Sequence, residues 1–302
     1  PVGRQLRKRS GTMNRQDPSK TCKLRFDYSG GYPEYPKDAA SRIPAVLAPA
    51  DLYAVPAGCM AGDTHPGFVR ENNEDSFLVC AKADGHNSLA AVADGVGGCR
   101  CGEVASRLCL TELFRQWCRF TESDDVTDTG RAISFLTDAV RTANSRVFHA
   151  EVQDPRERMC TTLAAVLFVG KSVVSIHAGD SRVYRIRNGE AERLTRDHSL
   201  VGEMIADGLI TPEEAQYHPL AHVISRTVGG LETVQPETGV FEHSPGDRYL
   251  LCSDGLTDIV NDEEIASVVW QTFEPADAVK QLLELALKRG GPDNVTIVSV
   301  FG

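Results

Sequence analysis

Three apolar runs in this 302-residue chain each lead into an aspartate. The runs and their aspartates are Leu89–Ala93 with Asp94, Val174–Ala178 with Asp180, and Leu250–Cys252 with Asp254. The first run contains no polar residue, so a strand there is predicted to be covered on both faces, with its aspartate where strand becomes loop. One Asp-Gly pair is usually only a turn, but the repetition predicts several carboxylates delivered to strand ends.

A fourth aspartate, Asp293, stands in a tight turn before the apolar run Val295–Phe301. The residues predicted to form one all-oxygen cluster are Asp94, Asp254 and Asp293, with Asp75 and Asp180 as further candidates. Such a donor set suits Mg²⁺ or Mn²⁺ better than zinc. Hard cations imply phosphate chemistry, because two ions can lower the pKa of a water and hold it for in-line attack on phosphorus.

Glycines follow the first of these aspartates at Gly95, Gly97 and Gly98. Glycine tolerates positive φ and lets the backbone approach a ligand closely, which suits a turn beside a binding site. The same turn would free the Gly95 carbonyl for a hard cation.

Composition excludes several classes of function. A formal net charge of −10 argues against a nucleic-acid binder, and no run approaches the eighteen apolar residues of a membrane span. Nine cysteines, an odd number without regular spacing, predict reduced thiols and a cytoplasmic location. The Cys99-Arg100-Cys101 sequence does not have the Cys-x2-Cys spacing of zinc sites.

The chain is predicted to contain one folded domain of the α+β class. Residues 1–56 are basic and aperiodic, which predicts a disordered or extended tail, whereas residues 57–302 contain the periodic segments. Strands cluster in apparent hairpins and helices arrive in pairs, which predicts two antiparallel sheets flanked by helices, a four-layer αββα sandwich. Residues 197–230 interrupt the strand pattern as a helical insertion, with a capping box predicted between Thr211 and Glu214.

Six motifs carry a resemblance to a known family. They are Arg70–Ser76, Ala93–Gly98, Thr161–Leu163, Gly179–Arg182, Ser253–Asp258 and Pro292–Asn294. In their order and approximate spacing the chain resembles the metal-dependent type 2C serine/threonine protein phosphatases, most closely the compact bacterial branch, over about residues 58–302. The resemblance implies hydrolysis of phosphoserine and phosphothreonine in proteins by in-line attack of a metal-bridged water.

The resemblance also implies roles for individual residues. Those assigned to two Mn²⁺ or Mg²⁺ ions and to a looser third ion are Glu74, Asp75, Asp94, Gly95, Asp180, Asp254 and Asp293. Asp94 would bridge the first two ions, and Arg70 would clamp the substrate phosphate by a bidentate contact. Asp180 would help to bind the third ion, with a simple turn before a strand as its alternative interpretation. The residues taken as catalytic are thus Arg70 and Asp94.

The chain departs from the family pattern at two positions. Val96 stands where animal members have a histidine thought to protonate the leaving alcohol, so that step has no assigned residue here. Cys160 replaces the glycine that usually precedes the Thr161-Thr162 pair. Thr162 itself is predicted to be buried support rather than a catalyst.

Two other functions stay open at this point. The first is a family member without catalytic activity that acts as a binding or sensing module. The presence of all the metal-site carboxylates argues against this function. The second is a two-metal hydrolase of small phosphoesters or nucleotides, which the absence of a Gly-x4-Gly-Lys-Ser/Thr sequence weakens. The expected partners are phosphorylated proteins, substrates of a serine/threonine kinase, and not nucleic acid, and the chain is expected to be a monomer.

Overall fold

The computed structural model describes residues 53–54, 59–81, 87–96, 101–122, 126–150, 158–215, 217–220 and 223–302. Its strands are β1 (Tyr53–Ala54), β2 (Met60–His65), β3 (Ser76–Cys80), β4 (Leu89–Ala93), β5 (Leu163–Val169), β6 (Ser172–Ala178), β7 (Arg182–Arg187), β8 (Glu190–Arg193), β9 (Glu237–Glu242), β10 (Arg248–Cys252) and β11 (Val295–Phe301). Its helices are α1 (Gly102–Phe120), α2 (Thr129–Phe148), α3 (Leu200–Ala206), α4 (Pro212–Ala215), α5 (Asp254–Thr257), α6 (Asp262–Gln271) and α7 (Pro275–Lys288). None of these helices combines the length and the apolar character that crossing a bilayer needs.

The strands form two antiparallel sheets that pack face to face. The six-stranded sheet has the order β1-β2-β11-β10-β7-β8, and the five-stranded sheet has the order β3-β4-β5-β6-β9. Helices α1 and α2 cover the outer face of the five-stranded sheet, and α6 and α7 cover that of the six-stranded sheet. The predicted α+β class and four-layer sandwich are therefore confirmed.

Strand β4 shows why its sequence lacks polar alternation. Ala90 and Val92 point into the apolar layer between the two sheets. Leu89, Ala91 and Ala93 point the other way, into the cluster formed with α1 and α2. All five side chains are buried, so both faces of the strand are covered as predicted.

The chain changes sheets after β6, which the sequence did not reveal. The β5-β6 and β7-β8 pairs are the predicted antiparallel hairpins, and Asn188 and Gly189 form the second turn with φ of 54° and 83°. The sequence predicts local hairpins with a break at Gly179-Asp180, and at that break β6 and β7 lie in different sheets rather than pairing with each other. Gly179, with φ of 115°, redirects the backbone there, one residue before Asp180.

Strand β9 was missing from the predicted elements. Its residues alternate between half-buried and exposed, and it lies at the edge of the five-stranded sheet beside β6. An edge strand with one solvated face needs few apolar residues, so its sequence gives a weak hydrophobic signal.

The predicted helical insertion is present and is closed at its base. Glu214 N donates to Thr211 Oγ1 at 3.2 Å, and Thr211 N donates to Glu214 Oε2 at 2.8 Å, which confirms the capping box at the start of α4. At the base, Leu200 N donates to Val223 O at 2.9 Å. Both chain ends of the insertion are thus fixed to each other.

Some predictions fall on residues outside the described ranges. The tail prediction for residues 1–56 meets the structure only at Tyr53–Ala54, which pairs with β2. Residues 97–100, which include the glycines after Val96 and Cys99, also lie outside the described residues.

The loop that leaves the insertion depends on one buried amide, which gives a first testable prediction. Asn144 on α2 is 1% exposed; its Oδ1 accepts from Gly229 N at 2.7 Å, and its Nδ2 donates to Leu231 O and Glu232 O. Replacing Asn144 with Ala leaves these backbone groups without partners, so we expect a loss of about 2–3 kcal/mol in the free energy of unfolding. Urea titration measures it.

The control for this variant is Thr142→Ala on the exposed face of the same helix, where Thr142 bonds only within its own helix. That change should cost less than about 0.5 kcal/mol. Equal losses in the two variants would contradict the role given to the amide.

Candidate metal centre

The registers of both sheets bring the predicted site residues to one end of the sandwich. In the six-stranded sheet β2 ends beside the start of β11, with His65 opposite Val295. In the five-stranded sheet β3 begins beside the end of β4, with Ser76 opposite Ala93. The loop between β2 and β3 joins the two sheets at this end. The ends of β4, β6 and β10 and the start of β11 therefore meet around it.

Asp94 follows β4 directly, and neutral groups hold its backbone. Its N–H donates to Thr162 Oγ1 at 3.0 Å, and its carbonyl accepts from Thr162 N at 2.7 Å and from Thr161 Oγ1 at 2.8 Å. Thr162 Oγ1 also lies 2.7 Å from Ser181 Oγ. Both threonines are fully buried. Thr162 is thus buried support, as predicted, and the Asp94 carboxyl is left out of this network.

Gly95 is required because another backbone segment packs against it. Its φ is not positive, so the tolerance of glycine for positive φ is not used at this residue. A Cβ here would lie 2.4 Å from the backbone carbon of Gly102, the first residue of α1. Close packing of the helix start against the site, rather than backbone torsion, excludes a side chain. The Gly95 N–H donates to Glu74 O at 3.1 Å, which joins the two segments of the site.

Asp75 lies just before β3 and is only 5% exposed. Its Oδ2 accepts from Ser253 Oγ at 2.7 Å, whereas its buried Oδ1 has no hydrogen-bonding partner among the described residues. Burial raises the pKa of Asp75 to about 6, although the Ser253 hydroxyl lowers it. A buried carboxylate oxygen without a partner is costly unless a cation binds it.

Three further aspartates complete the centre from other strand ends. Burial raises the pKa of Asp94 well above its usual value, and the negative charges of Asp75, Asp254 and Asp180 raise it further. Burial also raises the pKa of Asp254, with Asp180 as the strongest like-charged neighbour. The structure thus brings Asp94, Asp254, Asp75 and Asp180 into one group whose charges repel each other.

Asp180 lies in the crossing between the two sheets. Burial and, after it, the charge of Asp197 raise its pKa to about 6. Its Oδ1 is buried and has no hydrogen-bonding partner among the described residues. Asp180 therefore supplies a second buried carboxylate oxygen, besides Asp75 Oδ1, that has no hydrogen-bonding partner among the described residues.

The rim of the centre is formed by an ion pair. Arg70 Nη2 lies 2.6 Å from Asp293 Oδ2, and the two side chains are 50% and 34% exposed. Asp293 Oδ1 accepts from Asn294 N at 2.8 Å. The guanidinium is thus held beside the carboxylates while half of it faces solvent.

One amide joins the rim to the loop between β2 and β3. Asn294 Oδ1 accepts from Glu74 N at 2.9 Å, and its Nδ2 donates to Pro66 O at 3.0 Å and to Asn72 O at 2.9 Å. Glu74 itself is half-buried, and burial followed by the charge of Glu103 raises its pKa. This places Glu74 beside the cluster.

The donor set fits hard divalent cations. Each carboxylate brought together here offers oxygen only, and two buried oxygens, Asp75 Oδ1 and Asp180 Oδ1, have no partner among the described residues. Several buried acids in mutual contact favour protonation unless positive charge neutralises them. Divalent cations with oxygen ligands supply that charge, which is why the residues fit Mg²⁺ or Mn²⁺.

Sequence analysis gave no role to three residues that shape the centre. Asp258 adds negative charge near Asp254 and Asp180, while Ser253 and Asn294 hold Asp75 and the rim. Their only signal was membership in the quoted motifs.

A second polar cluster lies close to Asp180 but does not have the geometry of a metal site. His177, His198 and Glu237 bring their potential ligand atoms within 4.8 Å of one another. The two imidazoles are stacked, 4.4 Å apart and 13° from parallel, so their in-plane lone pairs run side by side and do not converge. The Arg226 guanidinium also lies 3.3 Å from His198 Nε2. We interpret this cluster as packing beneath the insertion.

Comparison with known proteins identifies the class to which this fold and centre belong. The family model described as Protein phosphatase 2C matches residues 69–288. The PhpP protein phosphatase of Streptococcus pneumoniae is 33% identical over 237 residues, which are 78% of this chain and 94% of that protein. The chain belongs to the protein phosphatase 2C family, the metal-dependent serine/threonine protein phosphatases.

A longer relative and two solved structures agree with this placement. The serine/threonine protein phosphatase PstP of Mycobacterium tuberculosis is 44% identical over 233 residues, which are 77% of this chain but only 42% of PstP. The crystal structure of PstP superposes with a TM-score of 0.69 at 42% identity, covering 80% of this chain and 97% of that one. For Stp1 of Staphylococcus aureus the TM-score is 0.73 at 31% identity, covering 85% and 99%.

The raised pKa values of the buried acids predict how the chelated protein responds to pH. Folding raises the pKa of Asp75 and Asp180 from 3.8 to about 6, so the folded state binds more protons than the unfolded state between these values. The stability that these two acids contribute by binding protons in the folded state is fully present below about pH 4. It is lost as the pH rises through about 6. In EDTA we therefore expect the Tm to fall across that window relative to the Tm in Mn²⁺.

Added Mn²⁺ should remove the fall, because the cation neutralises the carboxylates. The lowered pKa values of the buried or half-buried His177, His198 and His243 oppose the fall over the same pH range, and they do so with or without the cation. The measurement is therefore the difference between the Tm in Mn²⁺ and the Tm in EDTA as a function of pH. A difference that does not grow as the pH rises from about 4 to 6 would contradict the raised pKa values of these acids.

Proposed function

We propose that this protein hydrolyses phosphoserine and phosphothreonine in other proteins with the help of two divalent cations, Mn²⁺ or Mg²⁺. The observation that carries the proposal is the group of buried carboxylates at one end of the sandwich with a half-exposed arginine, Arg70, at its rim. Family membership supports it, and the catalytic domain of PstP, 40% identical, has been solved with two manganese ions.

The ligands follow from the placement of the carboxylates. We assign to the cations Glu74, Asp75, Asp94, Gly95 through its carbonyl, Asp254 and Asp293, and to a third, looser cation Asp180. Asp94 would be the residue that both principal ions share, as the family resemblance implies, and the charges of Asp75, Asp254 and Asp180 act on its carboxyl. When bound, the cations supply Lewis acidity and lower the pKa of a coordinated water.

The chain's own residues position the substrate. Arg70 offers a planar pair of N–H donors to two phosphate oxygens, and Asp293 orients this guanidinium at the rim. The buried Thr161 and Thr162 fix the backbone of Asp94, so its carboxyl needs little reorganisation during the reaction. Val96 carries no proton donor, and its N–H is used by Cys160 O, so this position does not protonate the leaving alkoxide.

We also propose boundaries and a setting for the activity. Residues 57–302 are the catalytic domain, and the insertion at about 197–230 is a flap that affects which phosphoproteins are accepted. Its exposed apolar side chains, such as Leu209 at 68% and Tyr217 at 87%, support a contact role. The substrates are products of a serine/threonine kinase, and the chain acts as a monomer in the cytoplasm.

Replacing Asp94 with Asn tests the metal assignment. The amide keeps the shape of the side chain but removes the charge shared by both cations, so kcat should fall by at least about 10²-fold at saturating Mn²⁺. The increase of Tm with Mn²⁺ should shrink in parallel. Both are measured with p-nitrophenyl phosphate hydrolysis and thermal melts.

The matched control is Asp138→Asn on α2, where the side chain is 77% exposed and far from the strand ends. It should keep wild-type kcat. An Asp94→Asn variant that retains more than about a tenth of kcat would refute the assignment.

Replacing Arg70 with Ala separates substrate binding from metal binding. A phosphate clamp contacts ground and transition states alike, so its loss should raise KM about tenfold, more than it lowers kcat. The KM of Arg70→Lys should lie between that of the wild type and that of Arg70→Ala, because lysine keeps the charge without the bidentate fork. Arg141→Ala, at a 65% exposed position on α2, is the control. A fall in kcat at unchanged KM would place Arg70 in another role.

A further inference from the structure

Two adjacent apolar side chains stand in solvent beside the phosphate clamp. Phe68 is 68% exposed and Val69 is 69% exposed, and Arg70 follows them in the chain. Isolated exposed apolar residues are common in proteins and need no explanation. Here the two are neighbours, and they share a loop with the arginine of the centre.

The loop is held by its surroundings, so the exposure is a fixed feature of the site. Phe68 N donates to Gly291 O at 2.8 Å, and the Phe68 ring packs edge-on against His65 at 5.9 Å. Gly67, with φ of 75°, is packed so closely that a Cβ would lie 2.3 Å from Asp293 O. The rim residue Asn294 fixes the preceding carbonyl, that of Pro66. These contacts leave the two side chains facing outward.

The placement limits what can cover them. Arg70 is paired with Asp293 at the rim, so a phosphate bound there lies at most two residues along the loop from Phe68. An extended peptide advances about 3.3 Å per residue, so side chains within about three positions of the phosphorylated residue reach this loop. The molecule that covers Phe68 and Val69 is therefore the substrate protein itself, through the segment beside its phosphorylated residue.

We propose that Phe68 and Val69 are specificity residues that contact an apolar side chain of the substrate protein near its phosphorylated residue. The inference rests on the proposed phosphatase function. It assigns to the substrate a chemical preference, an aliphatic or aromatic residue within three positions of the phosphoserine or phosphothreonine. An acidic residue there is disfavoured, since it would lose hydration against apolar carbon without gaining a partner.

The test compares phosphothreonine peptides that differ at one flanking position, with Leu or Asp placed in turn at each of the three positions on either side. For the wild type in Mn²⁺ we expect kcat/KM to favour Leu over Asp by about tenfold at one or two positions. In the double variant Phe68→Ala/Val69→Ala this ratio should fall below about threefold at the same positions. Phe68→Leu should restore most of it, because leucine keeps an apolar surface.

Phe273→Ala is the matched control, since Phe273 is 91% exposed just after α6 and far from the rim in the chain. It should leave the Leu/Asp ratio unchanged. A ratio near one at all positions in the wild type, or a ratio equally large in the double variant, would overturn the inference. Thermal melts of each variant confirm folding.

The two proposals fail differently. If the wild type hydrolyses neither the peptides nor p-nitrophenyl phosphate, the phosphatase function itself fails. If it hydrolyses both and shows no apolar preference that depends on Phe68 and Val69, only the specificity assignment fails.

Discussion

Repulsion between buried carboxylates is the constraint on which the carboxylate-bearing end of the sandwich depends. Two unit charges about 4 Å apart at an effective dielectric constant near 20 repel by about 4 kcal/mol. The charges of Asp75, Asp254 and Asp180 all raise the pKa of Asp94. The free energy of unfolding of a whole domain is only about 5–15 kcal/mol. Such a group is compatible with a stable fold only if protons or cations neutralise it, which links the stability of the fold to the proposed binding of cations.

The surrounding residues hold this group of mutually repelling carboxylates by hydrogen bonds to the backbone near them. Two of the carboxylate oxygens, Asp75 Oδ1 and Asp180 Oδ1, have no hydrogen-bonding partner among the described residues. The hydroxyls of Thr161 and Thr162 serve the backbone of Asp94, and the amide of Asn294 serves three backbone groups of the loop between β2 and β3. Ser253 engages one oxygen of Asp75 and leaves the other unpaired. Neutral donors thus set the geometry without competing with a cation for its ligands.

Sequence patterns predicted the parts that depend on local periodicity. The uninterrupted apolar run of β4, the arrival of helices in pairs, as in α1 and α2, and the capping box at Thr211 all correspond to the structure. The change of sheet at Gly179 was not predicted, because local alternation does not say which sheet a strand joins. Edge strand β9 and the packing role of Gly95 were missed because each depends on neighbours distant in sequence. The site residues came from motif order, while their mutual contacts required the fold.

The contacts of Asn294 also bear on how the protein folds. Its amide joins segments that are 220 to 228 positions apart in the chain, and β11, which follows it, lies in the middle of the six-stranded sheet. Contacts of such long sequence separation form slowly, because loop closure has to precede the gain from pairing. During synthesis the loop bearing Arg70 and Asp75 emerges long before its partner strand. The loop between β2 and β3, which bears Arg70 and Asp75, is therefore expected to reach its final position late, once Asn294 and β11 are in place.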